Sequence, residues 1–114
     1  MPIPEYLRQD VDQEIASFCA WRVPANAFGG LCLVHNWQGD TVTISEKRPM
    51  VRNPSRWVNS PIAQFRYNQQ EDDWSVYRAD QNQRWLPDKG LHGVHFISSL
   101  LIYVNHDPEG VFWA

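Results

Sequence analysis

Glu46 and Arg48 are two residues whose types and spacing could do chemistry. Residues two apart on a strand share a face, so these charges continue the apolar row of Val42 and Ile44. A strand carboxylate can help to hold a divalent metal in a nuclease-like site, with a nearby cation stabilising a leaving phosphate. The acids that could complete such a site are Asp40, Asp72, Asp73 and Asp80. The favoured alternative is an ion pair that anchors the loop after Pro49.

Cysteine and histidine occur at a spacing that is typical of zinc sites. The segments are Cys32-x-x-His35 and His92-x-x-His95. On a strand, however, Cys32 and His35 would point to opposite faces, and no second Cys-x-x-Cys motif supports the set. We therefore predict no metal and no cofactor.

The serines and cysteines give no sign of a catalytic nucleophile. Ser45, Ser98 and Ser99 lack the glycine-flanked turn of a nucleophile elbow, and Cys19 falls on the apolar face of a predicted helix. These features favour a protein without enzymatic activity.

Arginines alternate with aromatic residues in the middle of the chain and form the best candidate for a recognition surface. Eight of the ten basic residues are arginine, which forks to carboxylate or phosphate and stacks on aromatic rings. The candidate binding residues are Arg52, Arg56, Trp57, Arg66, Tyr67 and Arg78. Such a surface could bind a protein partner or grip phosphates and stack bases. In the favoured structural alternative, Trp57 plugs the loop onto the core, and the arginines are solvated or paired with Glu71, Asp72 and Asp73.

The chain ends on an unusual set of apolar side chains. Asp107, Pro108 and Gly110 have the composition of a type I turn, which would direct Phe112 and Trp113 back onto the domain. We predict that Phe112 packs against the helices, while Trp113 either closes the core or projects to a partner.

The elements that must position these residues follow from hydrophobic periodicity. We predict an α+β domain over residues 1–114, with an antiparallel sheet of four to five short strands in two hairpins, packed by an N-terminal and a C-terminal helix. The predicted segments are a helix over 1–23, the sheet over 31–87 with a loop at 49–60, a helix over 94–106, and a turn and tail over 107–114. Leu7, Val11, Ile15, Phe18 and Cys19 form the apolar face of the first helix, and Phe96, Leu100, Leu101 and Val104 that of the second.

Composition limits the function classes further. The formal net charge of −3 argues against a strongly basic nucleic-acid binder, and no apolar run approaches the ~18 residues of a membrane span. The absence of a leader pattern predicts a cytoplasmic protein in which Cys19 and Cys32 are buried thiols. A disulfide between them stays open as an alternative.

Several short motifs occur together in a recognisable order. They are Arg22-x-Pro24, Glu46-x-Arg48-Pro49, Ser60-Pro61-x-Ala63, Trp74-x-Val76-Tyr77, Arg84-Trp85 and Asp107-Pro108-x-Gly110-x-Phe112. This order, from about residue 5 to the end, resembles a family of small bacterial proteins named domain of unknown function 3024. The chain departs from the family pattern after Trp85, where Leu86-Pro87-Asp88 replaces a basic residue followed by an aromatic. The resemblance implies one compact domain and assigns no catalytic residue.

Two functions remain open from the sequence. The leading one is a non-enzymatic interaction module that binds a protein partner or a second copy of itself through the arginine and aromatic residues and an exposed sheet face. The other is a nucleic-acid-associated protein, with or without cleavage at Glu46.

Overall fold

Two helices flank five strands along the chain. The computed structural model describes residues 3–24 and 30–113. The elements are α1 (Glu5–Arg22), β1 (Cys32–Gln38), β2 (Thr41–Pro49), β3 (Trp57–Asn68), β4 (Asp73–Ala79), β5 (Trp85–Val94) and α2 (Ile97–His106). The strands form one antiparallel sheet in the order β1-β2-β3-β4-β5. The predicted α+β architecture, with an N-terminal helix, an antiparallel sheet and a C-terminal helix, is therefore confirmed.

One face of the sheet carries the core. Val42 pairs with Phe65 across β2 and β3, and Phe65 pairs with Val76 across β3 and β4. Antiparallel partners share a face, so these residues form a continuous apolar row that α1 and α2 cover. Both helices contribute to the same buried cluster, α1 through Val11, Ile15 and Cys19, and α2 through Ile97, Leu100, Leu101 and Val104. In the described ranges, no helix lies on the opposite face of the sheet.

The boundaries of several elements differ from those predicted. The loop predicted at 49–60 is shorter, because β2 continues to Pro49 and β3 begins at Trp57. The segment after Pro87, predicted as a loop and the start of a helix, continues β5 to Val94, and α2 begins only at Ile97. Pro87, Gly90 and Gly93 lie where the pairing of β5 with β4 is irregular, and they do not end the strand. Residues 1 and 2 of the predicted first helix and residue 114 of the predicted tail lie outside the described residues.

The irregular part of β5 is tied to α2 by a buried carboxylate. The Oδ2 atom of Asp88 accepts hydrogen bonds from the backbone N–H groups of Gly90 and Leu91, at 3.0 and 3.3 Å. A hydrogen bond to Asp88 raises the pKa of the Tyr103 hydroxyl to about 12. The Tyr103 Oη atom occupies the space that a Cβ atom on residue 90 would need. Only glycine therefore lets β5 approach α2 this closely.

Replacement of Gly90 by alanine should destabilise the domain by about 1–3 kcal/mol, because Tyr103 must move to make room for the methyl group. Urea denaturation of Gly90→Ala, Tyr103→Phe and the double variant gives the measurement. Removal of the hydroxyl relieves most of the overlap, so the alanine should cost less in the Tyr103→Phe background. Strictly additive costs would contradict this account.

The C-terminal tail folds back onto the domain as predicted. The Gly110 N–H donates to the Asp107 carbonyl at 2.9 Å, which closes the predicted turn. Phe112 is buried, and its ring meets Tyr103 edge-on at 6.1 Å between centroids. The Trp113 indole N–H donates to the Val104 carbonyl at 2.7 Å, so Trp113 closes the core rather than projecting away from it.

Candidate functional site

The structure spreads the predicted arginine and aromatic residues over different surfaces. Arg52 and Arg56 are exposed in the loop between β2 and β3. Trp57 is 48% exposed, and the Nζ atom of Lys47 lies 5.4 Å from its ring centroid. The interpretation that Trp57 plugs the loop onto the core is therefore wrong.

Arg66 and Tyr67 are neighbours on β3 and point to opposite faces of the sheet. The Arg66 guanidinium lies 3.7 Å from the Tyr77 ring centroid on the uncovered face, and its Nε–H donates to Gln64 at 2.8 Å. Tyr67 lies on the helix side, where its ring centroid is 5.1 Å from that of Trp74. The structure therefore gives these two residues separate environments.

Hydrogen bonding occupies the hydroxyl of Tyr67. The Tyr67 hydroxyl donates to Asp72 at 2.6 Å, and this bond raises the pKa of Tyr67 to about 12.

Arg78 pairs with Ala63 across β3 and β4 and thus falls on the helix side of the sheet as well. Of the six predicted binding residues, only Trp57 and Arg66 share the uncovered face.

Glu46 and Arg48 lie on the face that the sequence predicted, and the Arg48 Nη1 and Glu46 Oε1 atoms are 4.0 Å apart. Asp40 lies in the turn immediately before β2, roughly 20 Å away from Glu46 at 3.3 Å per residue. Asp40 instead accepts a hydrogen bond from the Ile3 N–H at 2.7 Å. Asp80 closes its own turn by accepting from the N–H groups of Asn82 and Arg84. None of these contacts brings a second carboxylate to Glu46.

Two of the histidines in the zinc-like spacing, His35 and His95, have other partners. His35 bonds to Asp12 on α1, and His95 bonds to the Asp72 carbonyl. Within residues 3–24 and 30–113, no three His, Cys, Asp or Glu side chains are placed to hold a metal ion.

The two thiols are free, with Cys19 buried and Cys32 half-buried. Burial raises the pKa of Cys19 to about 11, so its thiol stays protonated near neutral pH. A protonated, buried thiol is a poor nucleophile. Cys19 therefore has the environment of a core residue.

A carboxylate near the middle of α1 fixes this helix to the sheet. Asp12 Oδ1 lies 2.9 Å from the Trp37 indole nitrogen and 2.7 Å from His35 Nε2. Hydrogen bonds from Trp37 and His35 stabilise the charged form and lower the pKa of Asp12. This contact helps to fix α1 on the sheet, together with the buried residues of the helix.

The lowered pKa of Asp12 predicts a pH dependence of stability. The stabilising contribution of the carboxylate is complete above its ordinary pKa of 3.8 and is lost as the pH falls through the lowered folded-state value. The loss of stability in Asp12→Asn should therefore be largest near neutral pH and shrink in acid. Urea denaturation at several pH values measures this difference. Asp10→Asn, on the same helix, controls for the change of net charge, and a pH-independent difference for Asp12→Asn would contradict the assignment.

A concave groove lies between α1 and α2 and has a volume of about 840 Å³. Its floor is apolar and includes buried Val11, Trp74, Ile97 and Leu101, with half-buried Leu7 and Phe18 beside them. The C-terminal ends of the helices are bridged by Trp113, because the Arg22 guanidinium stacks on its ring at 4.4 Å and its indole bonds to Val104. The shape of the groove therefore depends on how the two helices are held relative to each other on the sheet.

Three large apolar side chains line the groove without being buried in it. Trp21 is 66% exposed, Phe96 74% and Ile102 60%. The sequence predicted Phe96 on the core face of the second helix, but it precedes α2 and faces solvent. The sequence of α2 contains a signal for this surface. Ile102 is apolar but lies outside the row of buried residues, so the helix is apolar on more than one side.

The polar lining of the groove is concentrated on α1. Asp10, Gln13, Glu14 and Ser17 follow one another at helical spacing along this side of the helix. His95 and Ser98 contribute polar atoms from the α2 side. No lysine or arginine lines the groove in the part of the chain that the structure describes.

Comparison with known protein families gives a match over nearly the whole chain. The model of the family described as Domain of unknown function (DUF3024) matches residues 3–114. Neither the curated proteins nor the solved structures give a significant match. None of the described helices combines the length and apolar character needed to cross a membrane.

Proposed function

The chain belongs to the DUF3024 family, and we propose that it is a non-enzymatic protein-interaction module that binds its partner through the groove between α1 and α2. The observation that carries this proposal is the exposure of Trp21, Phe96 and Ile102 around an apolar floor. Large apolar side chains exposed together mark interaction sites more often than isolated ones do.

A protein fits the groove better than a small ligand does. Small-molecule sites enclose their ligand and direct a few polar groups into an apolar cavity. Here the charged carboxylates of Asp10 and Glu14 are exposed on one helix, at the margin of an open apolar surface. An apolar centre with a polar rim is the usual anatomy of a protein interface, and aromatic side chains such as Trp21 are common among its hot spots.

The compartment is part of the proposal. We place the module in the cytoplasm, because the free thiols of Cys19 and Cys32 suit a reducing environment.

Charge placed in the groove tests the proposal. Ile102→Lys should prevent the tagged protein from recovering its partner from cells of the source organism, because a lysine cannot enter an apolar contact without desolvation. The melting temperature should stay within a few degrees of the wild-type value, since Ile102 is largely exposed. Val51→Lys, in the loop between β2 and β3, is the matched control and should recover the partner normally. Equal recovery by both variants would refute a groove interaction.

A second candidate function has its own supporting observation on the uncovered sheet face. Arg66 lies over Tyr77, and Lys47 lies over Trp57. Cations beside aromatic rings on a sheet are suited to single-stranded nucleic acid, with phosphates paired and bases stacked. Binding of a single-stranded oligonucleotide at two salt concentrations tests this function. Affinity should fall steeply with salt and should be weakened by Arg66→Ala, whereas no binding at low salt would exclude it.

A further inference from the structure

We infer that the occupant of the groove is an amphipathic helix whose apolar stripe is flanked by lysine or arginine. This inference rests on the proposed function, because it names the partner chemistry of the same groove. Its two supports are the form of the groove and the sign of the charges along it.

The form of the groove suits a helix. Two helices lie on the sheet with an apolar channel between them, and the channel is lined from both sides by Phe18, Trp21, Leu101 and Ile102. A helix laid between them would extend the existing layer and bury the exposed aromatic rings. Helices bind in such grooves through apolar side chains at positions i, i+3 or i+4, and i+7.

The negative charge along the groove predicts which side chains flank the apolar stripe of the bound helix. Asp10 and Glu14 are exposed, and their spacing of four residues places them one helical turn apart on the same side of α1. Neither carboxylate makes an ion pair with any residue in 3–24 or 30–113. Two basic side chains one turn apart on a bound helix would meet this pair, whereas acidic side chains there would be repelled.

The same charges argue against a second copy of this chain as the occupant. In a symmetric dimer formed across the groove, each subunit would present the same surface to the other. Asp10 and Glu14 of one copy would then lie against a surface with the same two carboxylates and no lysine or arginine in its described lining. Like charges brought together in this way disfavour the contact.

Three synthetic helical peptides can test the inference. Each has leucine at i, i+3 and i+7 and a fluorescent label, and the three differ only in having lysine, glutamine or glutamate beside the leucine stripe. Fluorescence anisotropy at low salt gives the affinity of each for the full chain. We expect the lysine peptide to bind on the order of tenfold more tightly than the glutamine peptide, as two partly exposed ion pairs allow, and the glutamate peptide to bind most weakly.

A charge reversal locates the effect. In Asp10→Lys/Glu14→Lys, the order of the lysine and glutamate peptides should invert. The control is Glu71→Lys/Glu109→Lys, which changes the net charge equally at exposed positions outside the groove lining and should keep the wild-type order. Phe96→Ala should weaken all three peptides, because the leucine stripe that all three share would pack against this exposed ring of the groove.

The outcomes separate this inference from the proposed function. Equal affinity for all three peptides, weakened by Phe96→Ala, would overturn the basic partner and leave the groove as an interaction site. An order that also inverts in the control variant would show that net charge alone decides binding, and would overturn the inference. A dimer in light scattering that Ile102→Lys converts to a monomer would make a second copy the occupant. Binding of none of the peptides would overturn the inference, and equal partner recovery by Ile102→Lys and Val51→Lys would overturn the proposed function as well.

Discussion

Truncation of Phe112 to alanine is expected to lower the free energy of unfolding by about 3–5 kcal/mol. The side chain is buried between the tail and the helices, and its ring meets Tyr103 edge-on. Its removal leaves a cavity that the close-packed core can fill only in part. Domains of this kind unfold with about 5–15 kcal/mol, so this single truncation should remove a large share of the stability.

The measurement is urea denaturation followed by circular dichroism. Phe96→Ala is the matched control, because it removes the same atoms from an exposed side chain and should change the stability by less than about 1 kcal/mol. Similar losses for the two variants would show that the tail does not complete the core.

Removal of the Asp107 side chain is expected to cost about 2–4 kcal/mol. Its carboxylate accepts hydrogen bonds from the backbone N–H groups of Val111, Phe112 and Trp113, at 2.8 to 3.2 Å. Its backbone has a φ of +43°, a left-handed conformation that aspartate tolerates better than alanine. Asp107→Ala therefore strains the turn and leaves three partly buried donors without their acceptor.

Thermal and urea denaturation measure this effect, with Asp80→Ala as the control. Asp80 also accepts two backbone N–H groups, but its turn is exposed and water can replace the carboxylate. The control should lose less than about 1 kcal/mol. Asp107→Asn should fall between wild type and alanine, because an amide keeps one acceptor oxygen. A loss at Asp107 no larger than that at Asp80 would contradict the proposed role of the carboxylate.

Much of the fold could be predicted because local patterns and tertiary contacts agree. The apolar spacing of α1 and the alternation in β2 each point to the observed element. The prediction fails at β5, where glycine and proline suggest a loop. There the hydrogen bonds of Asp88 and the close approach of Tyr103 to Gly90 stabilise an irregular strand. Those contacts join residues distant in sequence, so a local pattern does not reveal them.

The candidate site could be predicted only in part. Residue type identified arginines and aromatics as recognition residues, but neighbours such as Arg66 and Tyr67 point to opposite faces. The groove depends on how far apart α1 and α2 lie on the sheet, and this distance is set by contacts such as that of Asp12 with Trp37. The predicted apolar face of the second helix included Phe96, whose exposure follows from the late start of α2.

Site-specific photo-crosslinking in cells of the source organism tests the central claim most directly. A photoreactive phenylalanine analogue replaces Ile102 in the groove or, as a control, Val51, which is 98% exposed on the loop between β2 and β3. Our account predicts a discrete covalent adduct with another protein from position 102 and none from position 51. Adducts that form at position 51 while position 102 forms none would contradict it.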